Sequence, residues 1–270
     1  MTSARMQESV LRCFAIALLC LGSFAISASA QGTANTGTKP ENQGSSGDGW
    51  HVDVVPYIWF AGVHGTAGVA GHDASIHADF SQVFNYLDLG AMGAVEARYN
   101  RILIPVDFMW IKLSDDKALP ITDEALSVKV ELRQTILTPG IGYRIVDHEK
   151  VKVDGFMGAR YWHVYNSLKL QPESLGINPS KTVNWADAVA GGKITLLVSP
   201  KVVLTIGGDA GGGTARSDYE AYGLLGFRLS KKWLLQAGYR YMSVNYRPPS
   251  TFVYDVSQDG LVLGATWSVK

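Results

Sequence analysis

The sequence predicts an all-β fold, a closed antiparallel up-and-down transmembrane β-barrel of about ten strands, with eight to twelve possible. Three observations predict it. Stretches in which apolar and polar residues alternate recur along the chain, and a period of two is typical of strands with two unlike faces. These stretches follow a segment that has the features of a secretion signal. Short and long connections between them mostly alternate, as they do in bacterial outer-membrane barrels.

The clearest alternating stretch covers residues 233–246. Its apolar face is ringed by aromatic side chains, and its other face carries a guanidinium group. The two faces hold Trp233, Leu235, Ala237, Tyr239 and Tyr241 against Gln236, Gly238, Arg240 and Met242. A soluble sandwich strand buries its apolar face, whereas a membrane-barrel strand turns that face to lipid and its polar face to the lumen. Because the pattern recurs behind an export signal, it favours the membrane barrel.

Residues 1–30 are predicted to be a cleavable signal peptide. Basic residues precede a short apolar core, and Ala28-Ser29-Ala30 fits a cleavage site. Residues 31–49 are rich in Gly, Ser, Thr and Asn, which predicts a disordered periplasmic linker. Residues 50–270 then form the barrel. No stretch reaches the ~18 consecutive apolar residues of a membrane helix, so an integral protein would have to cross as a barrel.

The charge balance argues against a nucleic-acid-binding role. The chain carries 24 basic and 24 acidic residues, so no net positive field exists to hold a polyanion. Both cysteines, Cys13 and Cys20, fall in the predicted signal peptide, so the mature chain is predicted to lack disulfides and thiol chemistry. No cofactor is predicted.

Period-two alternation between turn signals places the individual strands. The predicted strands cover residues 50–62, 88–99, 102–113, 127–145, 150–165, 183–198, 202–211, 218–229, 233–246 and 252–269. The two-residue turn Asn100-Arg101 is the shortest connection. The other short turns are predicted at 146–149, 199–201 and 230–232. The longer connections are predicted at 63–87, 114–126, 166–182, 212–217 and 247–251.

Two features interrupt the strand pattern. Residues 80–87 space their apolar side chains at helical intervals behind a possible N-cap at Asp79 or Ser81, which predicts a short amphipathic helix. We expect this helix to form a lid on the barrel mouth, with a surface or lipid contact as the alternative; a small hairpin around Gly71 can precede it. Pro139-Gly140 predicts a β-bulge that reverses which residues of its strand face inward.

Charged residues on the predicted inward faces are expected to fill the lumen. They are Glu96, Arg98, Asp107, Lys129, Glu131, Arg133, Arg144, Asp154, Arg160, Asp187, Lys193, Asp209, Glu220, Arg228, Arg240 and Asp255. Acids and bases nearly balance, and an unpaired charge in a narrow, dry lumen would be strongly unfavourable. A barrel of about ten strands is therefore predicted to be crossed by salt bridges, with a narrow selective pore as the alternative.

Aromatic residues cluster near the ends of the predicted strands. The interface residues predicted from this pattern are Trp50, Trp110, Tyr143, Tyr161, Trp233, Tyr239, Tyr241 and Trp267, with Phe60 and Tyr254 added on the side of the longer loops. Two aromatic girdles, one at each membrane interface, are typical of barrels in lipid.

Several strings within the strands carry a family resemblance. They are Pro56-Tyr-Ile-Trp-Phe-Ala-Gly62, Gly158-Ala-Arg-Tyr-Trp162, Gly207-Gly-Asp-Ala-Gly-Gly-Gly213, Gly238-Tyr-Arg-Tyr241, Phe252-Val-Tyr-Asp255 and Gly260-Leu-Val-Leu-Gly264. Their order resembles that of a broad family of proteobacterial outer-membrane β-barrel proteins, and the resemblance covers nearly all of the mature chain. It implies a barrel fold and an outer-membrane location, and it implies no particular activity.

Two constellations suggest hydrolytic chemistry, and each has a plainer interpretation. A rim protease needs acids and a histidine that converge on water, for which Asp115, Asp116 and His163 are candidates. A lipid hydrolase needs a nucleophile beside a base, for which Ser167 and His163 are candidates. Any barrel offers such residues near its rim, so a protein without enzymatic activity is favoured.

Metal and phosphate sites are likewise not predicted. His64, His72, Asp73 and His77 have suitable ligand chemistry, but their spacing fits no zinc pattern and a solvated polar hairpin is favoured. The glycine-rich run at residues 207–213 lacks the Gly-Lys-Ser/Thr ending of a phosphate-binding loop.

The sequence thus predicts an outer-membrane barrel with a narrow, charge-filled lumen and a structural or surface-interaction role. The alternatives are a narrow passive channel for small solutes and an outer-membrane lipid hydrolase or protease. Outer-membrane lipid and, during insertion, the barrel-assembly machinery are the expected partners.

Overall fold

The computed structural model describes residues 49–69, 72–119, 126–171, 180–249 and 252–269. The predicted signal peptide and all but the last residue of the predicted linker lie outside these residues. The elements are β1 (Trp50–Val69), β2 (His72–Ala78), α1 (Phe80–Asn85), β3 (Leu87–Tyr99), β4 (Ile102–Leu119), β5 (Leu126–Asp147), β6 (Val151–Gln171), β7 (Ser180–Ser199), β8 (Val202–Gly213), β9 (Ser217–Arg228), β10 (Trp233–Tyr246) and β11 (Val253–Val269). None of the described helical residues belongs to a helix long and apolar enough to span a membrane.

Ten of these strands close into an antiparallel barrel, which confirms the predicted fold class. Sequential strands pair from β3 to β11, and β11 returns to pair with β1 from Val52↔Val269 to Gly68↔Val253. The other edge of β1 is shared, with β3 paired to its first half and β2 to its last part. β2 is therefore an extra strand that follows β1 beyond the end of β3, in the hairpin that the sequence allowed around Gly71.

Short turns lie at one end of the barrel, which we call the turn side; the opposite end is the loop side. The turn between β3 and β4 places Asn100 in the left-handed region, with φ of 54°, a conformation that asparagine tolerates better than most residues. The turns between β5 and β6, β7 and β8, and β9 and β10 lie at the same end, together with Trp50 and Val269. The short turns thus share one end of the barrel, as expected from the predicted alternation of short and long connections.

On the loop side the strands continue well beyond their predicted ends. β4 and β5 stay paired as far as Leu119↔Leu126, and β6 and β7 as far as Ser167↔Ser180. Most of the predicted loops at 114–126 and 166–182 is therefore strand. β5 has 22 residues and β6 has 21, about twice the 9–11 residues with which a tilted strand crosses a membrane.

The predicted bulge at Pro139-Gly140 is wrong. β4 and β5 keep one register from Ile102↔Tyr143 to Leu119↔Leu126, with no residue inserted at the proline. The irregularity of β5 lies near its turn-side end, between Arg144 and Val146 in its pairing with β6. From Leu132 to Arg144, residues of even number on β5 consequently face inward, which reverses the faces predicted for the part of the strand before Pro139.

The predicted helix is present, but the preferred prediction that it forms a lid is wrong. Helix α1 begins after the N-cap residue Asp79, whose backbone N–H donates to Gln82 Oε1 at 3.0 Å. Phe80 packs edge-on against Phe60, with ring centroids 5.0 Å apart. Because Phe60 points away from the lumen, α1 lies against the outer wall of β1, and Phe84 remains 43% exposed.

The two halves of the barrel wall have opposite polarity. On the outer face of β10 and β11, the turn-side half is apolar and the loop-side half is polar: Trp233, Leu235, Tyr239, Leu261 and Leu263 give way to Ser243, Asn245, Asp255, Ser257 and Asp259. The inner face of β10 changes in the opposite sense. It is polar in the turn-side half, with Gln236 and Arg240, and apolar in the loop-side half, with Met242, Val244 and Tyr246. The outer face therefore changes from apolar to polar, and the inner face from polar to apolar, at about the level of Tyr241.

Candidate functional site: a lumen in three layers

The lumen is the candidate functional site, and its contents change along the barrel axis. A cavity and a first ionic cluster occupy the turn-side half, a second ionic cluster lies at mid-height, and an apolar plug fills the loop-side half. The strands position these side chains because successive residues alternate between the two faces of the wall.

The turn-side ionic cluster joins neighbouring strands and also crosses the lumen. Arg144 on β5 and Asp154 on β6 form a two-pronged ion pair, at 2.7 Å and 3.1 Å. Lys193 on β7 donates to Glu96 on β3, although β4, β5 and β6 separate these strands. Arg144 is 5% exposed and Asp154 is 3% exposed, so both charges depend on each other for compensation.

The mid-height cluster is centred on Arg160 of β6. Its guanidinium donates to Asp209 on β8 at 2.8 Å, to Asp218 on β9 at 2.7 Å and to Glu220 on β9 at 3.1 Å. Trp162 donates its indole N–H to the other oxygen of Asp218 at 2.7 Å. Arg160 is 1% exposed, and Asp218 is fully buried. One buried cation is thus shared among three carboxylates.

Arg240 of β10 extends this cluster to the opposite wall. It donates to Glu220 at 2.9 Å, to Asp107 on β4 at 3.1 Å and to the hydroxyl of Tyr57 on β1 at 2.7 Å. Its guanidinium also lies 5.0 Å from the ring centre of Trp59, close enough for a cation–π contact. Since Arg160 and Arg240 share Glu220, a continuous set of charged contacts runs across the barrel.

On the loop side of the ionic clusters, aromatic and aliphatic side chains form the apolar plug, which extends along the wall to Val262 beside the cavity. Its members are Trp59, Met109, Ile111, Ile136, Trp162, Val164, Trp185, Ala215, Met242, Val244, Tyr246, Phe252, Tyr254, Val256 and Val262. Trp185 stacks on Trp162 with centroids 5.4 Å apart and on Tyr246 with centroids 4.2 Å apart. Ile136 and Val164 have no exposed surface, so solvent reaches them neither from the lumen nor from the mouth.

A hydrogen-bonded bridge crosses the lumen within the plug. Gln258 on β11 donates to Gln134 on β5 at 3.0 Å, and Tyr254 donates its hydroxyl to the same Gln134 oxygen at 2.8 Å. β1, β3 and β4 separate these two strands. Direct contact between opposite walls means that the lumen is closed at this level, and both glutamines are at least 96% buried.

The turn-side half contains a cavity of about 400 Å³. It extends from Leu234 and Thr266 near the turns to the mid-height cluster. Six basic and six acidic side chains line it: Arg98, Arg144, Lys152, Arg160, Lys193 and Arg240 against Asp53, Glu96, Asp107, Asp154, Asp209 and Glu220. The charges balance, so the lining favours neither anions nor cations by net charge.

Most of the predicted lumen charges lie on the inner face, and three do not. The inward set is Glu96, Arg98, Asp107, Arg144, Asp154, Arg160, Asp187, Lys193, Asp209, Glu220 and Arg240. Asp187 is buried and accepts the Ala215 backbone N–H at 2.7 Å. Arg228 belongs to the inward-facing series of β9 but is exposed at the turn-side end. The side chain of Lys129 lies outside the described side chains.

Glu131, Arg133 and Asp255 lie on the outer face, which corrects the prediction that they face inward. Arg133 and Glu131 pair with each other, and the Arg133 side chain is 47% exposed. Asp255 pairs with Arg247 at 2.9 Å and shares the face of Leu261. The prediction failed because it assumed that polar side chains face the lumen along the whole strand. In the loop-side half, polar side chains face outward and apolar side chains face the lumen.

All eight predicted interface aromatics point outward. Trp50 packs on Tyr99, and Trp233 stacks on Trp267 at the turn side, with centroids 5.4 Å and 6.2 Å apart. Trp110, Tyr143, Tyr161, Tyr239 and Tyr241 occupy outward positions of β4, β5, β6 and β10. Tyr254, added to the loop-side set, instead belongs to the apolar plug and is 3% exposed.

Tyr57 and Asp218 belong to the mid-height cluster but were not among the predicted lumen charges. Asp218 could have been found, because it stands two residues before Glu220 on the same face of β9. Tyr57 gives no such signal in the sequence. Its hydroxyl accepts a hydrogen bond from Arg240 and donates one to Asp107 only because the barrel closes.

The two candidate lipid-hydrolase residues do not converge. His163 and Ser167 are four residues apart on β6, which separates them by about 13 Å along an extended strand. His163 Nδ1 lies 2.6 Å from Asn184 Oδ1, so its partner is an amide. The side chains of Asp115 and Asp116 lie outside the described side chains.

No protein-family model matches the chain, and no curated protein matches it. Several solved structures are similar to the chain over most of its length. The outer membrane protease OmpT from Escherichia coli is 8% identical, with 85% of this chain and 99% of that chain covered and a TM-score of 0.46. The translocator domain of autotransporter NalP from Neisseria meningitidis is 14% identical, with coverages of 82% and 89% and a TM-score of 0.44. The attachment invasion locus protein Ail of Yersinia pestis is 14% identical, with coverages of 82% and 99% and a TM-score of 0.37. These similarities concern the fold alone.

Proposed function

We propose that the protein is an integral outer-membrane β-barrel with a closed lumen and a structural or surface-interaction role. One observation carries the proposal: the wall is apolar outside and ionic inside on the turn side, and polar outside and apolar inside on the loop side. A barrel that crosses lipid with its turn-side half and continues into water with its loop-side half needs this exchange of polarity.

The dimensions of the apolar outer band support the membrane placement. On β10 the five outward residues from Trp233 to Tyr241 are apolar or aromatic, and they span a segment of nine residues. A tilted strand needs about 9–11 residues to cross the hydrocarbon. In this placement the barrel contacts outer-membrane lipid, and its insertion depends on the barrel-assembly machinery.

The apolar plug supports the closed lumen. Water and ions avoid a passage lined by packed aromatic and aliphatic side chains, since they lose hydration there without gaining partners. The stack of Trp162, Trp185 and Tyr246 and the bridge between Gln134 and Gln258 occupy the centre of that passage. The turn-side cavity is then a blind vestibule.

Conductance in planar lipid bilayers tests the proposal. We expect no steady single-channel current from the unaltered protein, and we expect discrete openings from a variant that carries Trp162→Ala and Trp185→Ala, because the substitutions empty the centre of the plug. Steady single-channel steps from the unaltered protein would contradict the proposal that the lumen is closed.

The second candidate is a narrow passive channel for small solutes. The observation that favours it is the polar, charge-balanced cavity of about 400 Å³, which already provides the turn-side half of a path. A channel also requires the apolar plug to move. The bilayer experiment on the unaltered protein decides between the two candidates. The lipid-hydrolase alternative is not favoured, because His163 and Ser167 are far apart. The protease alternative stays a prediction.

A further inference from the structure

We propose that His64 and His77 form a binding site for one divalent transition-metal ion, of the class that includes Zn²⁺, on the outer wall at the loop side. His64 lies on β1 and His77 on β2, and the register of the hairpin places the two residues directly opposite each other. Both side chains face away from the lumen, so the site is separate from the ionic clusters and the plug.

The two imidazole rings present the same nitrogen to each other. Their Nδ1 atoms are 3.0 Å apart, and the ring centroids are 4.7 Å apart at an angle of 46°. A tetrahedral zinc ion with bonds of ~2.0–2.1 Å holds two nitrogen ligands about 3.3 Å apart. The rings need to separate by only a few tenths of an ångström, and the His77 side chain is 74% exposed, so it is free to make that movement.

Each ring has a carboxylate at its other nitrogen. His64 Nε2 lies 3.5 Å from Asp259 Oδ1, and His77 Nε2 lies 3.9 Å from Asp79 Oδ1. Asp259 is itself held by the hydroxyl of Tyr239. Metal-bound histidines almost always donate their second ring N–H to a carboxylate, a carbonyl or water, which fixes the ring and raises its basicity. Asp259 and Asp79 therefore stand close to the second ring nitrogens, at distances that a small side-chain rotation would shorten to those of hydrogen bonds.

The protonation states also favour a cation between the rings. If two neutral imidazoles share one hydrogen bond between their Nδ1 atoms, the donor ring has no proton on Nε2. That Nε2 lone pair then faces a carboxylate, which is repulsive. A metal ion on both Nδ1 atoms lets each ring carry its proton on Nε2 and donate it to Asp259 or Asp79. An extra proton, shared by the two rings, is the competing occupant.

The surroundings leave room for further ligands. An open groove of about 460 Å³ adjoins the site and is lined in part by Phe60, Phe80 and Tyr239. Among the described side chains, no three His, Cys, Asp or Glu groups converge as a complete metal site. Water molecules would therefore complete the coordination, as in metal sites that keep open positions.

Calorimetric titration of the purified, folded protein with ZnCl₂ in detergent at pH 7.5 tests the proposal. We expect one zinc equivalent per chain. We expect His64→Ala and His77→Ala each to weaken binding by at least ~10-fold, and Asp259→Asn to weaken it by ~10-fold or more through the lost outer partner. His163→Ala is the matched control, because His163 also lies on the outer wall but pairs with Asn184; it should bind zinc like the unaltered protein.

Retained resistance to denaturation in SDS at room temperature will show that each variant is folded. No zinc uptake by the unaltered protein at millimolar concentration would overturn the proposal and leave the shared proton as the occupant. The proposal would also be overturned if the His64→Ala and His77→Ala variants bound zinc as tightly as the unaltered protein. A loss of zinc affinity in His163→Ala as large as that in the two other variants would overturn it as well.

Discussion

Replacing Arg160 should cost far more stability than replacing an arginine on the outer rim. Arg160 is 1% exposed and donates to Asp209, Asp218 and Glu220. In Arg160→Met, Asp218 keeps its bond from Trp162, and Glu220 keeps Arg240, but Asp209 loses the cation that compensates it. Breaking one side of a buried ion pair costs about 3–5 kcal/mol. The unfolding equilibrium constant should therefore rise by two to three and a half powers of ten, at about 1.4 kcal/mol for each.

The free energy of unfolding can be measured by tryptophan fluorescence during urea titration of the barrel folded into phospholipid vesicles. Arg133→Met is the matched control, since Arg133 also pairs with a carboxylate but is 47% exposed; it should cost about 0–1 kcal/mol. Asp209→Asn should recover part of the loss when combined with Arg160→Met, because it removes the orphaned charge. The control should change the free energy of unfolding by less than about 1 kcal/mol. If Arg160→Met also changes it by less than about 1 kcal/mol, the buried cluster does not stabilise the barrel as argued.

Two further predictions test the wall. Leu263→Arg, in the apolar outer band, should destabilise the barrel in lipid by about 2–4 kcal/mol. Ser243→Arg, on the polar half of the outer face, should change the free energy of unfolding by about 0–1 kcal/mol. Equal losses of stability for the two variants, measured by unfolding in vesicles, would contradict the exchange of polarity. Gly260→Ala should impair folding, because a Cβ there would overlap the Phe60 carbonyl oxygen, whereas a Cβ at Gly223 would have no other atom within 4 Å. The yield of heat-modifiable barrel on SDS gels measures this, and equal yields would refute the close approach.

The fold class could be predicted because it depends on local pattern. Strict alternation in residues 233–246 predicted β10 with its observed bounds. The two-residue turn at Asn100-Arg101 predicted the end of β3 and the start of β4. Capping at Asp79 likewise placed the start of α1. In each case the signal comes from residues that are neighbours in the chain, so no knowledge of the distant partner is needed.

The candidate site was only partly predictable, and the failures have one cause. Arg160, Arg240 and Asp107 lie inside because they occur where apolar residues face out. Arg133 and Asp255 were expected inside by the same rule, but the loop-side half has its apolar residues inside. A short window shows that two faces differ. It does not show which of them faces the lumen, since that depends on whether the surroundings are lipid or water.

By itself, the sequence determined the strand character of the wall, the antiparallel order and the turn-side ends of the strands, because each follows from period-two polarity and turn chemistry. Only the tertiary structure decided what meets inside and outside the closed wall. Tyr57, Arg240 and Asp107 come from three strands, and Gln134 reaches Gln258 across the barrel. His64 meets His77 through hairpin register. Such contacts depend on closure and on the depth at which lipid gives way to water, and both are properties of the assembled barrel.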